Sequence, residues 1–181
     1  MNEIDEIVVT GGRPLHGTVR IQGSKNAALP VMAAALLSTG TSVLRECPKI
    51  TDVFLMEKIL RELGAETWWE DHDLYLDCSH ADGTVIPEYF SGKMRCSVIL
   101  LGALLGRNQR GVIGYPGGCV IGDRPIDLHI KALSRMGAAC RDDGTGLTAV
   151  SGGLRGTSLR LDYPSVGATE NVIMAAVMAD G

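Results

Sequence analysis

The stretch Gly117-Gly118-Cys119-Val120-Ile121-Gly122-Asp123-Arg124-Pro125 carries the residues best suited to covalent or acid–base chemistry. It follows the apolar pair Val112-Ile113 and runs into a helical pattern from Ile126 to Met136. Two glycines before Cys119 allow a sharp turn and leave the thiol uncrowded. Arg124 stands five residues on, before Pro125, a residue suited to the first position of a helix. A thiol beside a guanidinium and a helix N-terminus gains thiolate character. The other reading of the same residues is a buried structural cysteine in a tight turn.

Three further places combine polar residues with the start of an otherwise apolar helix: Ser24-Lys25-Asn26, Lys93-Met94-Arg95 and Ser165-Val166-Gly167-Ala168-Thr169. A cation at a helix N-terminus opposes the macrodipole unless an anion sits there. Free backbone N–H groups next to Lys or Arg form a ready anion site. The plainer readings are that Ser24 and Ser165 are caps and that Lys25 and Arg95 are solvated side chains at helix ends. Asp127 reads equally as an i,i+4 partner of Lys131, and His129 as a surface histidine. His16, His72 and His80 fall in turns, and Trp68 and Trp69 read as partly packed strand residues.

These residues need a scaffold, and the sequence supplies one with an internal rhythm. Ile7 to Val9 and Thr18 to Ile21 read as short strands around Gly11-Gly12-Arg13-Pro14. A buried Ala-rich helix runs from about Lys25 to Thr39-Gly40, followed by a strand from Thr41 to Arg45. Val53, Met56, Ile59, Leu60 and Leu63 give one apolar face to a helix from Asp52, which stops at Gly64. Strands Glu66 to Trp69 and Leu74 to Asp77 close the unit.

The order then recurs. Met94 to Leu105 is a second apolar helix, Gly111 to Gly114 a strand and Ile126 to Met136 an amphipathic helix. Asp127, Lys131 and Arg135 share its polar side, and strands Ala138 to Arg141 and Leu147 to Val150 follow. Leu60-Arg61-Glu62-Leu63-Gly64-Ala65 matches Leu133-Ser134-Arg135-Met136-Gly137-Ala138 at an offset of 73 residues. Met32 to Ala35 matches Met174 to Val177 at 142, close to two periods. The pattern predicts an α/β (α+β) chain built from βαβαββ units of about 22–83, 84–152 and 153–181. The third unit is expected to hold only a strand, Leu159 to Tyr163, and a buried helix, Val166 to Ala179.

Composition narrows the class. Apolar residues make up 45% of the 181 and the net charge is −4, with basic residues scattered. That is a core-forming chain without the concentrated basic face of a nucleic-acid binder. The longest apolar run, Ala27 to Leu37, is eleven residues and too short to span a bilayer. Five cysteines (47, 78, 96, 119, 140) show no CxxC pair and no histidines at metal-ligand spacing, so no metal site is expected. Their odd number, with an acidic N-terminus that lacks a signal-peptide pattern, predicts a reducing, cytoplasmic location.

Gln22-Gly23-Ser24-Lys25-Asn26-Ala27-Ala28-Leu29-Pro30 resembles the first signature of the UDP-N-acetylglucosamine enolpyruvyl transferase family, also called UDP-N-acetylglucosamine 1-carboxyvinyltransferase. Pro116 to Cys119 with Ile121 to His129 resembles that family's cysteine loop, and Pro164 to Asn171 a third segment. The sister family, 5-enolpyruvylshikimate-3-phosphate synthase, shares the fold but lacks the cysteine loop. The resemblance implies an inside-out α/β barrel domain and transfer of the enolpyruvyl group of phosphoenolpyruvate to the 3′-hydroxyl of UDP-N-acetylglucosamine. Phosphate is released, in the first committed step of peptidoglycan synthesis, and no cofactor is implied.

Residue by residue, the resemblance makes Cys119 the general acid, the site of a phosphoenolpyruvate adduct and the target of fosfomycin. Lys25, Arg95 and Arg124 would hold the phosphate and carboxylate of phosphoenolpyruvate, with Asn26 touching the sugar nucleotide. Arg124, Pro125, Ile126, Asp127 and Leu128, with Ser165, Val166 and Gly167, would line the UDP-sugar site. Where some members carry a lysine this chain has Tyr163. The family has two three-unit domains facing each other across a cleft. Residues 22–181 correspond to part of the first, residues 1–21 would belong to the second, and the rest of the second is not in this chain. The alternative expectation is a catalytically silent half that binds a sugar nucleotide or phosphate and needs a partner chain.

Overall fold

The computed structural model describes residues 8–115 and 126–181, with the side chains of residues 95 and 96 outside the description. The first unit begins with helix α1 (Lys25–Ala35), which buries Ala28, Leu29, Met32, Ala33 and Ala35. Strand β1 (Thr41–Leu44) and helix α2 (Thr51–Glu62) follow, then the hairpin β2 (Glu66–Glu70) and β3 (Asp73–Asp77). The hairpin turns on Asp71, whose φ of 49° is the left-handed conformation that tight hairpins favour. The three strands form an antiparallel sheet in the order β1-β3-β2, with Thr41 and Glu66 both opposite Asp77. Leu74 and Leu76 point inward and are fully buried, while Val43, Tyr75 and Trp68 line up on the outer face.

The second unit is built alike. Strand β4 (Val85–Ile86) and the short helix α3 (Glu88–Ser91) lead into a 3-10 segment (Arg95–Ile99) that continues as helix α4 (Leu100–Asn108). Then come β5 (Arg110–Gly114), α5 (Asp127–Arg135), β6 (Ala139–Asp142) and β7 (Gly146–Val150). Their sheet runs β4-β5-β7-β6, with β4 parallel to β5 and the other pairs antiparallel.

The two amphipathic helices end in matching geometry at the offset of 73. Gly64 and Gly137 take φ of 96° and 97°. The N–H groups of Ala65 and Ala138 reach back to the carbonyls of Leu60 and Leu133 at 2.9 and 3.1 Å. Those of Gly64 and Gly137 bond Arg61 and Ser134 at 2.9 and 3.0 Å. Each is a Schellman stop, in which a glycine accepts the left-handed turn that closes the helix. The repeat is therefore one of backbone geometry as well as residue type.

Helix α6 (Val166–Val177) packs on α4, on the 3-10 segment and on α5, while α1 packs on α2 and α4. The closest approach is at Gly102, where a side chain would stand 2.1 Å from the carbonyl oxygen of Asn171. One continuous core results, from Leu29 and Met32 through Leu100, Leu101 and Leu104 to Met174 and Ala175.

Four expectations are corrected. Residues 8–24 form no strand: no described strand pairs with them, Val19 and Ile21 stay exposed, and the segment touches the rest through the Arg20–Glu46 ion pair. Leu159 to Tyr163 is likewise unpaired, held instead by side chains of α5. The second apolar helix opens in 3-10 form, and that segment (Arg95–Ile99) packs against α6. Lys131 does not pair with Asp127 but reaches Asp162 at 2.6 Å, and Arg135 bonds the carbonyl of Ser158.

Candidate functional site

Lys25 and Asn26 are the first two residues of α1, and both are exposed. The Lys25 ammonium lies 2.8 Å from the carboxylate of Asp52, in the first turn of α2. That ion pair stitches two helix starts together and restrains the lysine, although an exposed pair contributes little to stability. Ser24 occupies the N-cap position, but its hydroxyl makes no capping bond, so the expected side-chain cap is absent. Its backbone carbonyl instead receives the N–H groups of Ala27 and Ala28. Pro30 lies inside α1 and has no N–H to offer the carbonyl of Asn26, one turn back. The start of α1 thus presents a cation, an amide and under-used backbone groups to the surface.

Ile126, Asp127 and Leu128 open α5, with Asp127 exposed and the side chains of Ile126 and Leu128 buried. What those two could offer a ligand is their backbone. Ser165 caps α6 as expected: its hydroxyl accepts from the N–H of Ala168 at 3.3 Å, and its carbonyl from the hydroxyl of Thr169 at 2.8 Å. Val166 is exposed, and Gly167 stands against the imidazole of His129, where a side chain would meet Cε1 at 3.6 Å. Burial pushes the Glu170 carboxyl above its usual range, one turn into the same helix.

His129 is the link between these segments and is buried, which corrects its reading as a surface histidine. Its Nδ1 lies 2.9 Å from the amide nitrogen of Asn171, a residue with no exposure. That amide nitrogen also donates to the carbonyl of Val98 at 3.2 Å, and its oxygen accepts from the N–H of Gly102 at 2.6 Å. One side chain thereby joins α6 to α5 and to the junction of the 3-10 segment with α4. Helix α5 thus meets α6 at His129, which touches both Asn171 and Gly167. Sequence reasoning undervalued both His129 and Asn171. A single polar residue in each of two apolar helical faces was the available signal.

Cys119, Arg124 and Pro125 lie outside the described residues, as does the side chain of Arg95. Three other cysteines are described and are free thiols. Burial pushes the thiol of Cys47 up to about 11, helped by the charge of Glu57, and raises those of Cys78 and Cys140. Such thiols are poor nucleophiles at neutral pH. Two surface grooves, of about 240 and 580 Å³, lie around Glu46, Lys49 and His72, and no candidate substrate residue lines either. Leu128 lines a smaller groove with Lys131, Arg135 and Leu159 to Asp162, whereas Lys25, Asn26, Asp127 and Val166 are exposed. Among the described residues no cluster of His, Cys, Asp or Glu could hold a metal ion, and no helix is long and apolar enough to cross a membrane.

The architecture is that of the enolpyruvyl transferases. The enolpyruvyl transferase NikO from Streptomyces tendae superposes with a TM-score of 0.78 at 23% identity, over 94% of this chain and 41% of its own. An EPSP synthase from Acinetobacter baumannii gives 0.73 at 18%, over 91% and 39%. At such identities the likeness is one of fold. Residues 9–181 match the EPSP synthase (3-phosphoshikimate 1-carboxyvinyltransferase) family, and the chain belongs to it. Its curated relatives include the UDP-N-acetylglucosamine 1-carboxyvinyltransferases of Wolbachia pipientis wMel, 46% identical over 177 residues, and Halalkalibacterium halodurans (number 1), 44% over 181. That of Caldanaerobacter subterraneus subsp. tengcongensis (number 2) is 40% identical over 173. These matches cover 93–98% of this chain but only 41–42% of the relatives, so the chain spans about two fifths of their length.

Proposed function

We propose that this chain is one wall of an enzyme that transfers the enolpyruvyl group of phosphoenolpyruvate to the 3′-hydroxyl of UDP-N-acetylglucosamine, releasing phosphate. The observation that carries the reading is the junction at His129 and Asn171, which joins α5 to α6 and puts Gly167 against the His129 ring. Support comes from the cysteine-loop sequence and from the names of relatives at 40–46% identity.

In this reading Lys25, Arg95 and Arg124 hold the phosphate and carboxylate of phosphoenolpyruvate. Guanidinium groups suit such planar or trigonal anions through paired hydrogen bonds. Asn26 and the backbone from Arg124 to Leu128 and from Ser165 to Gly167 hold the sugar nucleotide, the capped start of α6 facing its diphosphate. Cys119 gives its proton to the methylene carbon of phosphoenolpyruvate as the sugar hydroxyl adds to the neighbouring carbon and passes its own proton to a base on the other wall of the cleft. A tetrahedral intermediate forms. Return of the methyl proton and departure of phosphate give the enolpyruvyl ether. Fixed cations around the phosphate stabilise charge as it develops, without reorganisation at the moment of reaction. The same thiol is the site of a pyruvate adduct and of attack on fosfomycin.

In this reading the cleft has two walls, and the second belongs to the part of the longer relatives that this chain does not cover. The 181 residues by themselves are therefore proposed to bind without turning over. Covalent labelling tests the site: with the second domain present, fosfomycin adds to Cys119, seen as a mass increase on its peptide. An unmodified Cys119 under those conditions rules the assignment out.

A further inference from the structure

We propose that Asn171 is a positioning residue, which fixes His129 as the tautomer protonated on Nε2 and so sets how the starts of α5 and α6 meet. The amide's orientation follows from its partners. Its oxygen must face the N–H of Gly102, 2.6 Å away, and its nitrogen the carbonyl of Val98, 3.2 Å away. An amide nitrogen carries two protons and accepts none. The second proton is the one directed at Nδ1 of His129, 2.9 Å away. Nδ1 is therefore the acceptor, and the proton of the neutral ring is on Nε2.

The arrangement holds the ring against Gly167, with Cε1 and Nε2 at 3.6 and 3.8 Å from where a side chain would begin. Asn171 and His129 are both buried, so water does not compete for these bonds. Moving the proton to Nδ1 sets two donors against each other, and turning the ring over leaves the amide facing a C–H with no acceptor. One amide thus ties α6 to α5 at His129 and to the start of α4 at Gly102.

The consequence for turnover rests on the proposed function, whereas the tautomer does not, and the two are tested separately. Long-range 15N–1H NMR of the labelled 181-residue chain, with the His129 signal assigned by its loss in His129→Gln, is expected to show an unprotonated Nδ1 and a protonated Nε2. Asn171→Asp keeps an acceptor for Gly102 but turns a carboxylate oxygen toward Nδ1, and is expected to move the proton there. A protonated Nδ1 in the unaltered chain overturns the proposal, whether or not the variant folds. So does a folded Asn171→Asp variant with the tautomer unchanged. With the second domain present, the variant is expected to raise KM for UDP-N-acetylglucosamine about tenfold, the weight of one hydrogen bond. The KM for phosphoenolpyruvate is expected to stay within about twofold. Equal rises in both overturn the positioning role. No phosphate release from the unaltered enzyme would sink the functional reading alone.

Discussion

A cysteine's chemistry is set by its surroundings, and the described thiols of this chain are made inert by theirs. Cys47 is raised to about 11 and Cys78 and Cys140 in the same direction, chiefly by burial. For Cys47 the folded value stands above the usual 9.0. The stabilisation it gives is fully present below about pH 9 and is lost as the pH rises through about 11. With a limiting alkylating agent at neutral pH, peptide mass analysis is expected to find Cys119 modified well before these three. Modification of Cys47 first would contradict its burial. Glu57 is the other informative single residue. Its carboxylate is buried and accepts from Arg61 at 2.6 Å, Thr67 at 2.7 Å and the Trp69 indole at 3.1 Å. Glu57→Ala leaves the Trp69 indole and the Thr67 hydroxyl without that acceptor, while Arg61 keeps Thr67, and is expected to cost about 2 kcal/mol in urea unfolding.

At the scale of elements, the repeat makes a comparison that one protein rarely offers. Gly64 and Gly137 end equivalent helices with nearly equal positive φ, yet their surroundings differ. A side chain at Gly64 would stand 2.9 Å from the carbonyl oxygen of His80, whereas at Gly137 the nearest atom is 3.7 Å away. Gly137→Ala should cost only the left-handed strain, about 1–2 kcal/mol, and Gly64→Ala measurably more by the same denaturation assay. Equal losses would mean that the backbone, not the neighbour, decides. The turn between β6 and β7 has a pH signature. Asp143 accepts from Thr145 and Gly146, and Asp142 from the Tyr115 hydroxyl and Gly144, and both fall below the usual 3.8. What they contribute is present above that value and is lost as the pH falls through their own midpoints, which carboxyl NMR titration reads directly.

Why the helices and hairpins were legible is clear from these same elements. Apolar spacing marked α2 and α5, and a glycine marked each stop, because local rules and tertiary packing agree there. The strands at Thr18 to Ile21 and Leu159 to Tyr163 were misread because a strand exists only with a neighbour, and no local pattern supplies one. The cap at Ser165 was legible, and that at Ser24 was not, since identical residue types differ only in where the hydroxyl turns. For the site, Lys25 was visible as an ill-placed cation, but its pairing with Asp52 joins two helices and needs the fold. His129 and Asn171 were under-read for the same reason.

Taken whole, the described residues form two similar units and a further helix, α6, joined through one core. Membership of the EPSP synthase family does not name the acceptor, since 3-phosphoshikimate and UDP-N-acetylglucosamine are acceptors named within it and among its relatives. The acceptor is where the central claim is most exposed. Phosphate release from phosphoenolpyruvate should be measured with the chain joined to the portion its relatives carry beyond it, using each acceptor in parallel. Release with UDP-N-acetylglucosamine, and none with 3-phosphoshikimate, is the expected result. Release driven by 3-phosphoshikimate, or by neither, would contradict it.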